Sequence, residues 1–219
     1  MIKHLFFDLD GTLTDPKEGI TKCVAHALKE VCGIEVEDLD TLVPYIGPPL
    51  VTGFQENHGV SEETAHACTA AYRVRFRTVG LFENRPYDGI RAALDSLREK
   101  GYTLYVATSK PTEFSVRILE HFGLADCFKH ICGATLDGRI SEKHEVIAEL
   151  LRLAGQPDKD EIVMIGDRKY DIEGAHAFGI RAVGVTYGFG SREELETAGA
   201  DAICASVEGL AAAIESLQA

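Results

Sequence analysis

His4-Leu5-Phe6-Phe7-Asp8-Leu9-Asp10-Gly11-Thr12-Leu13-Thr14 decides the reading of this chain. An apolar run of strand length ends on two carboxylates spaced two apart, and side chains at that spacing share one face of a strand. Asp8 and Asp10 therefore project near the strand's carboxyl end, the end at which ligands bind in an open parallel sheet. A plainer reading fits the same letters: Asp10-Gly11 is a turn and Asp8 a solvated strand terminus.

Outward from this stretch, short apolar runs alternate with helical patterns, the rhythm of a parallel sheet with crossover helices. Tyr102 to Ala107, Glu161 to Ile165, Arg181 to Val185 and a short Ala202 to Cys204 read as further strands. Gly89 to Lys100, Thr112 to Phe122, Lys143 to Ala154, Asp171 to Phe178 and Val207 to Leu217 show helical spacing. The strand rhythm stops between about Lys17 and Phe82. There only helices appear, the longest being Thr21 to Val31 and Glu62 to Val79, with Gly47-Pro48-Pro49 as a breaker. The expected architecture is α/β, a Rossmann-like, doubly wound parallel sheet formed by residues 1–16 and 83–219, with residues 17–82 inserted as a helical cap.

Three more clusters carry chemistry. Gly166-Asp167-Arg168-Lys169-Tyr170-Asp171 follows the run Ile162 to Ile165 and repeats the first arrangement, although Asp167 alone could be a helix cap. Two carboxylate groups on one sheet edge raise each other's proton affinity unless a cation neutralises them, and hard oxygen ligands of this charge suit Mg2+. Thr108-Ser109-Lys110-Pro111 ends another apolar run, where a hydroxyl and nearby backbone N–H groups can face a phosphate, or where Ser109 can cap a helix. Lys143 opens a helix, a position where a cation is electrostatically disfavoured.

Composition narrows the partners. The chain has 219 residues, 45% of them hydrophobic, and a formal net charge of −13. Such a charge argues against a nucleic-acid polymer or an anionic membrane as partner, and requires an anion site to bring its own positive charge. Six cysteines are scattered, without a CxxC pair or zinc-ligand spacing, and read as reduced. With no apolar run long enough to span a bilayer, the expected location is the cytoplasm, as a monomer or homodimer.

The four clusters, in this order, resemble the haloacid dehalogenase (HAD) superfamily of phosphohydrolases. Asp8-Leu9-Asp10-Gly11-Thr12, then Thr108, then Lys143, then Gly166-Asp167 with Asp171 match the family's four motifs, and the helical insert is similar to its cap of the first type. Asp10-Gly11-Thr12-Leu13-Thr14-Asp15, Tyr45-Ile46-Gly47-Pro48-Pro49-Leu50, Ala107-Thr108-Ser109-Lys110-Pro111 and Met164-Ile165-Gly166-Asp167-Arg168 resemble most the phosphoglycolate phosphatase and 5'-nucleotidase branch. Glu142 and His144 flank Lys143 where many relatives have Lys-Pro.

The resemblance implies Mg2+-dependent hydrolysis of a small phosphorylated metabolite. Asp8 is then the nucleophile that forms an aspartyl-phosphate, Asp10 the acid and base, and Thr108 and Lys143 the groups on the phosphoryl oxygens. Asp8, the Asp10 carbonyl and Asp167 hold the metal, with Asp171 orienting its shell or Lys143. Substrate contacts are expected from Thr108, Ser109 and Lys110, and from Gly47, Pro48 and Lys22 of the cap, which would exclude water and read the leaving group. A phosphotransferase or phosphomutase shares the first half-reaction, and a silent binding protein on this fold is a third reading.

Overall fold

The computed structural model describes residues 1–218, which fall into two units: Met1–Asp15 with the chain from Pro86 onward, and Pro16–Arg85. The second unit is helical. It contains α1 (Lys17–Cys32), a 3-10 segment at Leu39–Tyr45, α2 (Leu50–His58), α3 (Glu62–Arg75) and a π-helical turn at Phe76–Gly80. Its core is made where α3 packs on α1 and α2, and Val24, Leu28, Phe54, Cys68 and Tyr72 are buried there.

In the first unit the apolar runs form β1 (His4–Phe7), β2 (Thr103–Pro111), β3 (His130–Ala134), β4 (Ile162–Gly166), β5 (Arg181–Val185) and β6 (Ala202–Cys204). They make one sheet in the order β3-β2-β1-β4-β5-β6, parallel at every junction. Parallel neighbours need crossovers, and these are α4 (Ile90–Glu99), α5 (Thr112–His121), α6 (Lys143–Leu153), α7 (Lys169–His176) and α8 (Arg192–Thr197), with α9 (Leu210–Ser216) closing the unit.

Side-chain alternation divides the sheet into two buried faces. Phe6, Tyr105, Ala107, Met164 and Ala182 join Val146, Ile147 and Leu150 of α6 and Ile172 of α7 in one core. On the opposite face, α5 packs on β2 and β3, α4 on β2, and α9 on β6. Strands covered on both sides read as unbroken apolar runs, as Ile162-Val163-Met164-Ile165 does. The chain leaves β1 for β2 on one side, then returns to β4 on the other. That reversal opens a crevice at the carboxyl ends of β1, β2 and β4, the usual ligand position of such sheets.

The α/β expectation therefore holds, with corrections in detail. β3 was not anticipated, because Lys129-His130-Ile131-Cys132-Gly133-Ala134 mixes polar and small residues; it is an edge strand, half-buried at its start. β2 runs on to Pro111, and its pairing with β3 shifts register between Thr108 and Pro111. The helical pattern from Glu62 to Val79 breaks into α3 and the π-helical turn. Among the described residues, no helix is long and apolar enough to cross a membrane.

Phe6 sits in the centre of this packing, fully buried, with its ring edge-on to Tyr105 at 5.2 Å. Phe6→Ala is expected to lower unfolding free energy by about 3–5 kcal/mol in urea titrations, while Val74→Ala, at a residue 65% exposed, should change it by less than about 0.5 kcal/mol. Equal effects would contradict this placement of the core.

Candidate active site

Asp8 follows directly on β1, and its N–H still donates to the Ile165 carbonyl of β4 at 2.9 Å. The alternation that turns Phe6 toward α6 turns Asp8 the same way. There it meets Lys143, the first residue of α6, whose Nζ lies 2.9 Å from Asp8 Oδ1 and 2.7 Å from Asp171 Oδ1. The same ammonium donates to the Ala107 carbonyl midway along β2, at 2.9 Å. A lysine at a helix N-terminus opposes the helix dipole; here two carboxylates outweigh that cost. Glu145 steadies the turn by accepting from the N–H groups of Ser141 and Glu142.

Asp10-Gly11 is both a turn and part of the acidic cluster, so the two readings of that dipeptide coexist. Gly11 has φ +82° and donates its N–H to the Thr14 carbonyl, a left-handed conformation that favours glycine. A Cβ on Gly11 would also lie 2.1 Å from Asp167 Oδ2. The Asp10 carboxylate is paired with Lys110 Nζ at 2.6 Å, and its other oxygen is buried without a hydrogen-bond partner. Lys110, expected among substrate contacts, is thus placed on the acid and base candidate.

Asp167, just past β4, is completely buried. Its Oδ2 accepts from the Phe189 N–H at 2.8 Å, and its Oδ1 has no partner. Asp171 in the first turn of α7 accepts from the Arg168 N–H at 3.0 Å through Oδ2. Asp8, Asp167 and Asp171 each present an oxygen, and these atoms lie within 4.8 Å of one another.

Burial first, then the neighbouring Asp171 and Asp8, push the Asp167 carboxyl well above the ordinary range. Burial likewise raises Asp10, with Lys110 pulling the other way. It raises Asp171 too, against the pull of Lys143. Burial is the largest influence on Lys143 and disfavours its charge, but Asp171 and Asp8 together hold its pKa above the usual lysine value. Asp8, Asp167 and Asp171 are thus three buried carboxylates with one buried ammonium, that of Lys143, among them.

Thr108 is buried, and its Oγ1 accepts from the Lys110 N–H at 3.2 Å. Ser109 does not cap α5: the strand continues to Pro111, which precedes the helix without a side-chain cap. Lys22 in the helical unit is paired with Glu18 at 2.5 Å and Glu83 at 3.2 Å. Gly47, with φ +113°, and Pro48 lie between the 3-10 segment and α2.

One contributor escaped the sequence reading. Tyr187-Gly188-Phe189-Gly190, after β5, wraps Asp167: a Cβ on Gly188 would come within 2.5 Å of Asp167 Cβ, and one on Gly190 within 1.9 Å of its carbonyl oxygen. Tyr187 donates its hydroxyl hydrogen to the Thr12 carbonyl at 3.1 Å, tying the loop to the first motif. The only signal in the letters is a Gly-x-Gly phrase after an apolar strand, which also marks ordinary turns.

Residues 5–185 match the family model described as haloacid dehalogenase-like hydrolase. A 5'-nucleotidase from Pseudomonas aeruginosa is 45% identical over 213 residues, 97% of this chain and 96% of its own. The tyrosine-protein kinase PtkA of Mycobacterium tuberculosis is 38% identical over 192 residues, 88% of this chain but 65% of that longer protein. Among solved structures, a "predicted phosphatase" from Clostridium acetobutylicum superposes with a TM-score of 0.95 at 49% identity, over 99% of both chains. The family match runs from β1 to the end of β5, the same span that carries Asp8, Thr108, Lys143 and Asp167, and this chain belongs to the haloacid dehalogenase-like hydrolases as an enzyme of their phosphatase type.

Proposed function

We propose that this phosphatase hydrolyses a small phosphomonoester, of the nucleoside 5'-monophosphate or phosphoglycolate class, through an aspartyl-phosphate on Asp8 and with Mg2+ as cofactor. The carrying observation is the convergence of Asp8, Asp167 and Asp171 on one buried point, opposed by a single lysine. The high similarity to a protein named 5'-nucleotidase favours the nucleotide class.

The residues fit the metal. The partnerless Oδ1 of Asp167 is a buried hard donor, and oxygen donors of this charge suit Mg2+. Asp8, the backbone carbonyl of Asp10 and Asp167 would hold it, with Asp171 in support. When bound it supplies positive charge that lets an anionic ester approach an anionic nucleophile.

The chain's own groups account for the rest. Asp8 Oδ attacks phosphorus in line while the bond to the ester oxygen breaks. Asp10 gives the leaving oxygen a proton, then takes one from the water that releases phosphate. Its raised proton affinity, set by burial and moderated by Lys110, suits a group that must hold and return a proton. Lys143 fixes Asp8 against Asp171, and with Thr108 it offers positive and polar groups to the phosphoryl oxygens. Discrimination between esters falls to residues outside the motifs, for which Ser109 and, in the helical unit, Gly47, Pro48 and Lys22 are the candidates. We place the enzyme in the cytoplasm, as a monomer or homodimer acting on soluble metabolites.

A phosphotransferase reading gains support from the relative named as a kinase. Release of free phosphate with water as sole acceptor separates the two; dephosphorylation of the donor only when an alcohol is added, with the phosphoryl group recovered as the alcohol's new ester and no free phosphate, would favour transfer.

Asp8→Asn should lower kcat by at least ~1,000-fold, and near-normal turnover would remove the covalent mechanism. Asp10→Asn should lose about 10²–10⁴-fold on alkyl phosphates, the range of general acid–base catalysis, and far less in phosphoenzyme formation from para-nitrophenyl phosphate, whose leaving group needs no proton. Equal losses on both would reassign the acid.

Asp167 yields a test independent of activity. Its folded-state pKa is raised, so its contribution to stability is complete below the unfolded carboxyl value of about 3.9 and is lost as pH climbs through the folded value. Metal-free wild type should therefore melt lower at pH 8 than metal-free Asp167→Asn, with the gap closing toward pH 4. Mg2+ should raise the melting temperature of wild type and leave that of the variant almost unchanged. An identical Mg2+ shift in both proteins would place the ion elsewhere.

Replacing Pro48 and Pro49 with alanine should lower kcat/KM more for the preferred metabolite than for para-nitrophenyl phosphate. A uniform fall would move ester discrimination away from this loop.

A further inference from the structure

Two thiols in the helical unit lie together although 36 positions separate them. Cys32 Sγ and Cys68 Sγ are 3.7 Å apart. Cys32 is the last residue of α1, and its position is fixed by Gly33, which turns left-handed and donates to the Leu28 and Lys29 carbonyls. Cys68 lies in the middle of α3, a helix begun by a Ser61 cap on Thr64 N–H. Both sulfurs are thus carried by packed, well-terminated helices.

Their exposures differ in a useful way. Cys68 is fully buried, whereas Cys32 is partly open to solvent. An oxidant can reach one sulfur while the other waits behind it, the arrangement of an attacking and a resolving thiol. Forming an S–S bond of about 2.05 Å from this separation asks for under 2 Å of approach, within the reach of side-chain rotation.

The pair also adjoins a third group. Burial, followed by the two neighbouring thiols, pushes up the ionisation of the Tyr45 hydroxyl, which is hydrogen-bonded to His58 Nδ1 at 2.7 Å. Tyr45 is buried edge-on to Phe54 of α2 and immediately precedes Ile46-Gly47-Pro48-Pro49.

We propose that Cys32 and Cys68 form a peroxide-driven, reversible disulfide that clamps α1 to α3 beside the Tyr45 anchor. The Cys32 thiolate attacks a peroxide oxygen, the O–O bond breaks, and the departing oxygen leaves as an alcohol or water after taking a proton. The resulting sulfenic acid is attacked by Cys68 sulfur, the S–O bond breaks, and water leaves with the Cys68 proton. Two thiols are oxidised by two electrons and one peroxide is reduced. A dithiol reductant reverses the reaction. Burial and the proximity of Cys32 push the Cys68 thiol up to about 12, so it stays protonated until a sulfenic acid stands next to it.

The experiment is to treat the full-length protein with hydrogen peroxide at near-stoichiometric dose, then measure intact mass, free thiols and melting temperature. Expected are a loss of 2 Da, two fewer titratable thiols, a Cys32–Cys68 cross-linked peptide, and a melting temperature several degrees higher that returns on reduction. Cys32→Ser should abolish the mass loss and the thermal shift while leaving metal-dependent phosphatase activity in place. Cys68→Ala should instead stop at a sulfenic acid on Cys32, trapped by dimedone; because this variant could be destabilised, Cys32→Ser carries the decision. Oxygen addition of 16 or 32 Da without cross-linking, or a disulfide that persists in Cys32→Ser, would overturn the proposal.

Discussion

Three carboxylates held against one ammonium, out of water, is the constraint on which the rest of the catalytic unit depends. Buried charge is costly unless it is compensated, and here compensation is incomplete: Lys143 reaches Asp8 and Asp171 but leaves an oxygen of Asp167 unmatched. Each structural choice nearby serves this crowding. β1 and β4 must be neighbours so that Asp8 and Asp167 emerge side by side. The reversal in strand order must fall beside β1, and α6 and α7 must both begin at the same edge to deliver Lys143 and Asp171. Folding stability is spent locally to create a place that prefers a cation and an anionic ester together to neither.

Most of this was legible in the letters because the decisive residues sit where strand periodicity ends. Asp8, Thr108 and Asp167 each follow an unbroken apolar run, and burial on both faces writes such runs plainly. What stayed hidden depends on distant pairing. Lys110 reads as a substrate contact until β2 is seen carrying it inward to pair with Asp10. The edge strand β3 has no strong alternation because its opening residues face solvent and a neighbour on one side only. Lys22, an attractive free cation in the sequence, is already shared between Glu18 and Glu83. The nearness of Cys32 to Cys68 has no sequence signature at all, since it is set by how two helices pack.

The relatives carry names from two reaction classes. Proteins named as a nucleotidase and as a tyrosine kinase share much of this chain's length and sequence. A phosphoryl group carried by an aspartate can pass to water or to another hydroxyl by the same in-line geometry. On the mechanism proposed above, the choice between those acceptors falls to groups outside the catalytic edge.

Asp167 is held by a backbone N–H, that of Phe189, between two glycines pressed against it. A hydrogen bond from the main chain cannot be deleted by changing the side chain that hangs from the same residue. This hydrogen bond therefore survives any residue but proline at 189, whereas the silent neighbours Gly188 and Gly190 are immovable, for a single methyl group at either would strike Asp167 or the carbonyl of Gly11. Tolerance to substitution in this loop runs opposite to chemical conspicuousness: for this hydrogen bond the large aromatic side chain is the replaceable one, and the two residues with no side chain guard the buried carboxylate.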